Sequence, residues 1–297
     1  MYSSKSTDPR GALSACAAFA LWGVMPVFWK FLGGVSVFEV TAHRVLWSLA
    51  VVAIVLLYRG SLMSAFGAFK DPRTLAIHGL AAACLIGNWL LYVWAMMTDR
   101  VLEGALGYYL NPFLYLLLGC LVLGEKHTRL QFVSIAIAMV GVVLQFPAIS
   151  GVPWLAIGLA STFAVYGTIK KQSSLGSFSG LAVETIFLAP VALAFCVFLT
   201  STSRATFGAD FVTTILLVAT GLVTAAPLLL FARGAKSITL SLLGILQFIG
   251  PTGQFLLGWL RYDEPLPPLR LASFALIWTA VVVYIVSLRT SSRRTNG

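Results

Sequence analysis

Two charged side chains lie inside long apolar stretches of this sequence. Arg44 lies about seven residues into the stretch 37–58, and Glu184 about six residues into the stretch 179–200. At a helical rise of about 1.5 Å per residue, each lies roughly 10 Å from the nearer end of a spanning helix. A charge at that depth is costly and indicates function by default. Arginine there is suited to bind a substrate carboxylate or to act as a gate partner, and glutamate to carry a proton.

Arg44 also has structural alternatives. Its guanidinium could pair with Glu39 or Glu103, or extend outward to the membrane surface. The neighbouring His43 could relay protons, although a histidine on an apolar helix is more often a hydrogen-bonded packing residue. We keep these interpretations open, and treat His43 and Glu103 as coupling or gating candidates.

Glu184 is the third coupling or gating candidate, because a buried carboxyl group can exchange a proton near neutral pH. It could instead cap neighbouring backbone or pair with Lys170 or Lys171. His78 and His127 lie near the ends of apolar stretches, and we expect both to be ordinary interfacial residues.

The hexapeptide Gly-Tyr-Tyr-Leu-Asn-Pro that ends at Pro112 is the richest polar segment inside an apolar stretch. Pro112 lacks the amide that would bond the carbonyl of Tyr108, so we predict a helix break lining a cavity, or a kink for packing alone. The pattern recurs at Pro251, with Gln247 one turn earlier. Tyr108 and Tyr109 point about 100° apart, so only one should face the cavity. The predicted substrate-binding or cavity residues are Trp22, Arg44, Asn88, Tyr108, Tyr109, Asn111 and Gln247.

Composition places these residues in a membrane protein. Hydrophobic residues make up 59% of the 297 positions and charged residues only 10%, against about 25% charged in soluble domains. Ten stretches are long enough to span a bilayer. They cover residues 11–32, 37–58, 74–97, 102–122, 129–147, 152–170, 179–200, 212–233, 238–260 and 268–288.

The charge pattern and the cysteines exclude several other classes. The net charge of +10 is carried by short loops, which favours the lipid bilayer over nucleic acid as a partner. The four cysteines lack CxxC spacing, and we find no metal-ligand cluster, P-loop or nucleophile–base constellation. We therefore predict no metal, no cofactor and no enzyme activity.

Loop charge and an internal repeat predict the topology. With the N-terminus in the cytoplasm, 14 of the 20 basic residues lie on the cytoplasmic side and 5 outside, as the positive-inside rule requires. Adding 139 to the numbers of residues 112–144 gives a segment that is identical at eleven positions. Each repeat holds five stretches, an odd number, so the second must enter the membrane inverted. We predict an all-α polytopic membrane protein of ten transmembrane helices in two inverted five-helix repeats, 1–150 and 151–297, with both termini cytoplasmic.

Six short segments in order resemble EamA-type permeases of the drug/metabolite transporter superfamily, and within it the RarD group. The most diagnostic are His43-Arg-Val-Leu-Trp-Ser48 and Glu103-Gly-Ala-Leu-Gly-Tyr-Tyr-Leu-Asn-Pro112. The resemblance implies a ten-helix permease of the bacterial inner membrane, in a group that carries a chloramphenicol-resistance label. Glu125 belongs to a Leu-Gly-Glu element of the family, and we expect it to cap the following helix. The remaining segments are 20–30, 87–91, 123–125 and 247–251.

These observations predict a secondary-active permease, most simply a proton-coupled exporter, that moves small metabolites by alternating access. Arg44 and the aromatic residues favour amino-acid-like substrates, anionic or zwitterionic. The alternative is a chloramphenicol-type drug efflux permease, and facilitated diffusion is a further option. A membrane sensor or accessory protein is less well supported, because no loop is long enough to hold an output domain.

Overall fold

The computed structural model describes residues 8–97, 101–144, 154–262 and 268–295, and every regular element in these ranges is a helix. A short 3-10 turn, Ala68–Lys70, follows α3. The helices are α1 Pro9–Lys30, α2 Val37–Tyr58, α3 Leu62–Gly67, α4 Pro72–Met97, α5 Val101–Leu123, α6 Arg129–Val143, α7 Trp154–Gln172, α8 Ser177–Ser201, α9 Phe211–Ser237, α10 Leu240–Gln247, α11 Ile249–Tyr262 and α12 Pro268–Thr295.

Seven of the described segments are long and apolar enough to cross a membrane, and two shorter apolar helices accompany them. The prediction of an all-α polytopic membrane protein is therefore confirmed at this level. The seven are Pro9–Lys30, Val37–Tyr58, Pro72–Tyr92, Ser177–Ser201, Phe211–Ser237, Leu240–Arg261 and Leu271–Leu288, and the two are Gly107–Leu123 and Arg129–Val143.

Side-chain caps fix where several helices begin. Asp8 accepts from the backbone amide of Arg10 at the start of α1, and Thr128 forms a reciprocal capping box with Gln131 at the start of α6. Asp210 accepts from the amide of Thr213 at the start of α9. Each cap satisfies an amide that the helix itself leaves without a partner.

Helices from the two halves of the chain pack against each other. The main pairs are α1 with α9 and α11, α2 with α8 and α9, α4 with α7 and α8, α5 with α7 and α10, and α6 with α12. Gly221 lets α2 and α9 approach closely, because a β-carbon there would overlap the backbone and side chain of Trp47. At the same crossing the Ser48 hydroxyl donates to the Gly221 carbonyl over 3.2 Å.

The α6–α12 crossing is held by two reciprocal hydrogen bonds. The Ser134 hydroxyl donates to the Ala280 carbonyl, and the Ser273 hydroxyl donates to the Gly141 carbonyl, each over 2.7 Å. The earlier residue of α6, Ser134, contacts the later residue of α12, Ala280, and the later residue Gly141 contacts the earlier residue Ser273. The two helices therefore run antiparallel. Hydroxyl bonds to backbone carbonyls are common means of joining helices in a membrane.

The predicted breaks at the two prolines have different outcomes. The prediction is wrong for Pro112, because α5 continues through it from Val101 to Leu123. One missing amide removes a single helical bond, and the neighbouring turns hold the helix together. Near Pro251 a break does occur, but at Phe248, between α10 and α11. The amide that Pro251 lacks would have bonded the carbonyl of Gln247, where α10 ends.

The close contact at Gly221 predicts a specific loss of stability. We expect Gly221→Ala to lower the free energy of unfolding by about 1–3 kcal/mol, because overpacking forces α2 and α9 apart. Thermal unfolding of the detergent-purified protein measures this change. Gly87→Ala is the matched control, since nothing lies within 4 Å of a β-carbon at this helical glycine. Equal losses for the two variants would show that the α2–α9 contact is not tight.

Candidate functional site

A cavity lies among the described helices, and its volume is about 880 Å³ when the open solvent at its mouth is included. Its wall is built from α1, α2, α4, α5, α7, α9, α10 and α11. It is lined by Phe19, Trp22, Met25, Pro26, Trp29, Arg44, Asn88, Trp89, Tyr92, Tyr108, Phe163, Thr224, Leu228, Gln247, Gly250, Pro251 and Gln254.

Arg44 is the charged residue of this wall. Its Nε donates to the Thr224 hydroxyl over 3.0 Å, and its guanidinium lies 4.8 Å from the ring centre of Trp29 and 4.2 Å from that of Trp89. Within the described residues no carboxylate pairs with it. The stacked rings and the hydroxyl position the guanidinium plane and leave its two terminal nitrogens available for a planar anion.

The carboxylates predicted as structural partners of Arg44 are engaged elsewhere or lie outside the description. Glu39 is buried and accepts from the amides of Thr206 and Phe207, over 2.8 and 3.1 Å. Glu103 falls in the first turns of α5, whose side chains lie outside the described residues. Its gating role stays a prediction.

Asn88 lines the cavity and also joins helices. Its amide nitrogen donates to the Leu159 carbonyl over 2.9 Å and to the Thr162 hydroxyl over 3.1 Å. The Tyr108 hydroxyl faces its amide oxygen over 3.5 Å, the long limit of a hydrogen bond. The two interpretations of a mid-membrane amide, helix contact and cavity wall, therefore apply together.

Aromatic rings form much of the cavity wall beside these polar groups. The ring of Trp22 lies 5.8 Å from Phe19, 5.6 Å from Phe163 and 5.7 Å from Phe231, in tilted or edge-on arrangements. Such pairs stabilise one another beyond their apolar burial. They present a dry, rigid surface to the apolar part of a ligand.

The break between α10 and α11 brings polar groups to the cavity. Gln247 ends α10 and lines the wall, and its side-chain oxygen is buried without a hydrogen-bond partner among the described residues. One turn beyond the break the Gln254 amide donates to the Trp22 carbonyl over 3.3 Å. An unpartnered buried amide oxygen next to a void is a site for a ligand or water donor.

Three predicted site residues lie outside the cavity wall. Tyr109 packs against Phe248 and Phe274, so of the two adjacent tyrosines only Tyr108 faces the cavity. Asn111 is fully buried, and neither of its amide atoms has a partner among the described residues. His43 accepts from the Trp47 indole over 3.1 Å and stacks on Phe207, an arrangement that matches the packing alternative.

Glu184 also lies away from the cavity, in a buried cluster with Lys170 and His78. The Lys170 ammonium lies 2.8 Å and the His78 Nδ1 2.9 Å from the same carboxylate oxygen. The Tyr166 hydroxyl donates to the other oxygen over 3.2 Å, and His78 Nε2 lies 2.8 Å from the Ser173 hydroxyl. Of the alternatives for Glu184, the structure contains the ion pair with Lys170.

The expectation that His78 is an ordinary interfacial residue is wrong, because His78 is 1% exposed and lies in the Glu184 cluster. His127 is half-buried in the loop between α5 and α6, so its interfacial place stays a prediction. It lies 2.6 Å from the Ser241 hydroxyl and 3.3 Å from the Cys120 thiol, and burial lowers its pKa below the ordinary value.

Glu125 caps a helix other than the expected one. Its carboxylate accepts from the amides of Leu240 and Ser241 over 2.7 and 3.2 Å, and from the Ser241 hydroxyl over 2.8 Å. These amides begin α10, whereas the following helix, α6, is capped by Thr128. A carboxylate at a helix N-terminus is favourable for both the orphan amides and the helix dipole.

Several cavity residues were not predicted, although their spacing from predicted ones marks them. Met25, Pro26 and Trp29 lie three, four and seven residues after the predicted Trp22, on one face of α1. Gln254 likewise lies seven residues after the predicted Gln247. A search along the helical face of each predicted residue would have found these positions from the sequence.

Fold and composition together define a polytopic helical membrane protein. The model of the EamA-like transporter family matches residues 9–146. The chain is 39% identical to Protein RarD of Streptomyces exfoliatus, over 97% of this chain and 91% of that one. It is 37% identical to an uncharacterized transporter of Vibrio cholerae over 93% and 92%, and 30% identical to the chloramphenicol-sensitive protein RarD of Pseudomonas aeruginosa over 92% and 93%.

A solved crystal structure with 21% sequence identity shares the fold, at a TM-score of 0.75 over 96% of this chain and all of that one. The relatives also show the family, because they are at least 30% identical to this chain over nearly the full length of both. The chain belongs to the RarD group of EamA-type permeases, in the drug/metabolite transporter superfamily. It is a multi-pass bacterial membrane protein of a transporter family.

The ion pair in the Glu184 cluster predicts an asymmetry between single and double variants. We expect Lys170→Met to destabilise the protein by about 3–5 kcal/mol, because it leaves a buried carboxylate without its counter-charge. Adding Glu184→Gln to Lys170→Met should recover most of this loss. Thermal or denaturant unfolding in detergent measures both. Lys126→Met, at an exposed loop position, is the control, and a double variant as unstable as the single one would contradict the pairing.

Proposed function

We propose that this chain is a secondary permease that exports a small amphipathic metabolite carrying a carboxylate group. The observation that carries the proposal is Arg44, a cation in the cavity wall with no carboxylate partner among the described residues. Trp29, Trp89 and Thr224 hold its guanidinium in place, which is the arrangement expected of a preformed anion site.

The aromatic wall supports an amphipathic rather than a fully polar substrate. A ligand carboxylate on Arg44 would direct the remainder of the molecule toward Trp22 and Phe163. The amides of Asn88 and Gln247 lie on the same wall and could bind a second polar group, such as an amine or hydroxyl. Amino-acid-like compounds with an apolar or aromatic side chain have this distribution of groups.

The packing supports two inverted five-helix repeats, 1–150 and 151–297. If the two halves are equivalent, α1 corresponds to α7, α2 to α8 and α4 to α9. The pair α1–α9 then corresponds to α7–α4, and the pair α2–α9 to α8–α4. All four of these pairs are in contact. The reciprocal bonds of Ser134 and Ser273 join equivalent positions, since 273 and 280 are 139 residues beyond 134 and 141. Because α6 and α12 are antiparallel, the axis that relates them is perpendicular to both helices and therefore lies in the membrane plane.

This symmetry supports ten spans and transport by alternating access. Two inverted halves around one site can exchange conformations, so that the site opens first to one side and then to the other. The loop charges favour an orientation in the bacterial inner membrane in which both termini lie in the cytoplasm. The cavity would then open outward in the conformation described above.

A chloramphenicol-type efflux permease is the second candidate. The name of the Pseudomonas aeruginosa relative refers to chloramphenicol sensitivity, and the aromatic wall suits a nitroaromatic ring. Chloramphenicol carries no carboxylate, so Arg44 would have no counter-charge to bind. The two candidates therefore differ in their dependence on this one residue.

Flux through purified protein distinguishes the two candidates. Proteoliposomes are loaded with a mixture of amino acids and, separately, with chloramphenicol, and efflux is measured with and without a proton gradient. For carboxylate substrates we expect Arg44→Gln to raise KM about tenfold to a hundredfold, as loss of a charge-assisted hydrogen bond does. Arg44→Lys should recover only part of the lost substrate affinity, because lysine keeps the charge but loses the planar stacking.

Arg59→Gln is the matched control, because Arg59 also stacks on a ring, that of Phe178, but lies outside the cavity. Carboxylate flux that is insensitive to Arg44→Gln would overturn the assigned anion site. Chloramphenicol flux without any carboxylate flux would replace the first candidate by the second.

A further inference from the structure

The buried Glu184 cluster lies at the end of the bundle opposite to the cavity. Ten residues of α4, or about 15 Å of helix, separate His78 from Asn88 in the cavity wall. Lys170 and Ser173 lie where α7 ends, and Glu184 is in the second turn of α8. We call this region, defined by His78, Lys170, Ser173 and Glu184, the network end.

The network end is closed by packing and by lysine contacts. Glu184 is 0% exposed, and Lys170 and His78 are each 1% exposed. The Lys236 ammonium on α9 donates to the carbonyls of Ser173 and Leu175. In the described conformation a buried charged cluster therefore fills this end of the bundle.

The hydrogen bonds of the cluster define one protonation state. An ionised carboxylate only accepts hydrogen bonds, so His78 Nδ1 carries the hydrogen that faces Glu184. His78 Nε2 is then an acceptor, and the Ser173 hydroxyl donates to it. Ser173 in turn accepts from the Leu175 amide over 3.1 Å. Each of the two histidine nitrogens and the serine hydroxyl is thus paired, and the charges of Lys170 and Glu184 cancel.

We propose that this cluster is a proton-binding site, and that one proton entering it opens the network end. The proposal rests on the permease function above. A proton from water at the α7–α8 loop binds His78 Nε2, and the imidazole releases its Nδ1 proton to Glu184. An N–H bond forms at Nε2, the N–H bond at Nδ1 breaks, and an O–H bond forms on the carboxylate.

The product state cannot remain closed. The Lys170 ammonium loses its counter-charge while still buried, which carries a large desolvation cost. The Ser173 hydroxyl loses its acceptor, because Nε2 now holds a hydrogen. The other polar groups nearby do not compensate: Tyr166 is neutral, and Lys236 adds positive charge. Water must enter to hydrate Lys170, and this requires α4, α7 and α8 to separate.

Two further titratable groups lie near the cluster among the described residues. Tyr115 on α5 is fully buried beside Gly167, and its hydroxyl donates to the Phe163 carbonyl over 3.1 Å. Lys171 on α7 donates to the carbonyls of Ala235 and Ile238. Neither has a described contact with Glu184, so we assign the proton to His78 and Glu184.

Tyr166 connects the cluster to the cavity. Its hydroxyl binds Glu184, and its ring stacks on Phe163 at 6.0 Å and 29°, and on Phe231 at 6.0 Å and 14°. Phe163 in turn is part of the cavity wall next to Trp22. A movement of Glu184 on protonation thus reaches the ligand site through two rings.

Cysteine accessibility tests this proposal without a known substrate. In a background that lacks the four native cysteines, Ala82→Cys reports on the network end, one turn from His78 and 2% exposed. Met25→Cys reports on the cavity. Maleimide labelling in proteoliposomes is compared between about pH 8 and pH 5, the range in which histidines change charge. Lys70→Cys, at an exposed position, corrects for the pH dependence of the thiol reaction.

At low pH we expect labelling at position 82 to rise about tenfold or more, since an open state that is a minor population becomes dominant. Labelling at position 25 should fall, because the two ends open alternately. His78→Gln and the double variant Lys170→Met/Glu184→Gln should both lose the pH response. Tyr166→Phe should keep the response at 82 and lose it at 25.

An equal pH response in the parent and in both His78→Gln and the double variant would overturn the proposal, as would a parent without any response. A rise at both 82 and 25 would indicate general loosening, and would overturn it as well. The permease function is judged separately by flux. Flux without the pH response in labelling would overturn the proposed proton site and leave the proposed permease function in place. The pH response without flux would overturn the permease function and leave the proton site in place.

Discussion

A charge inside a bilayer must be stabilised by the protein itself or by the contents of a cavity, because the hydrocarbon provides no hydrogen bonds. Glu184 follows the first route, because Lys170, His78 and Tyr166 compensate it within the protein. Among the described residues, Arg44 contacts two aromatic rings and one hydroxyl, and none of these is a counter-charge. The proposed position of the ligand site follows from this difference.

The same constraint explains how the two halves are joined. Polar groups of one half are paired with groups of the other half: Ser134 with Ala280, Ser273 with Gly141, and Glu125 with the first amides of α10. Each contact satisfies a donor or acceptor that its own half leaves open. Small residues such as Gly221 allow the backbones to approach closely enough for these bonds to form. The central contacts of the bundle are thus both polar and tightly packed.

The sequence predicted the helical class and the place of Arg44 inside a long apolar helix, because hydropathy and helical spacing are local properties. Tyr108 and Tyr109 were separated by the helical angle alone. The cluster around His78 was not predicted, since it forms only when α4, α7 and α8 meet. The partner of Glu125 was missed for the same reason. The break near Pro251 was found, but its position depends on how α10 packs, and α5 shows that a proline need not break a helix.

The capping of α10 by Glu125 has a consequence for biosynthesis. The carboxylate and the first amide of α10 are separated by 115 residues, so the ribosome completes the loop that holds Glu125 long before it makes the helix that needs it. During that interval the carboxylate lacks the hydrogen bonds that it accepts from Leu240 and Ser241 in the folded protein. The first half of the chain is therefore made before the helix that Glu125 caps, and these hydrogen bonds form only after α10 has been synthesised.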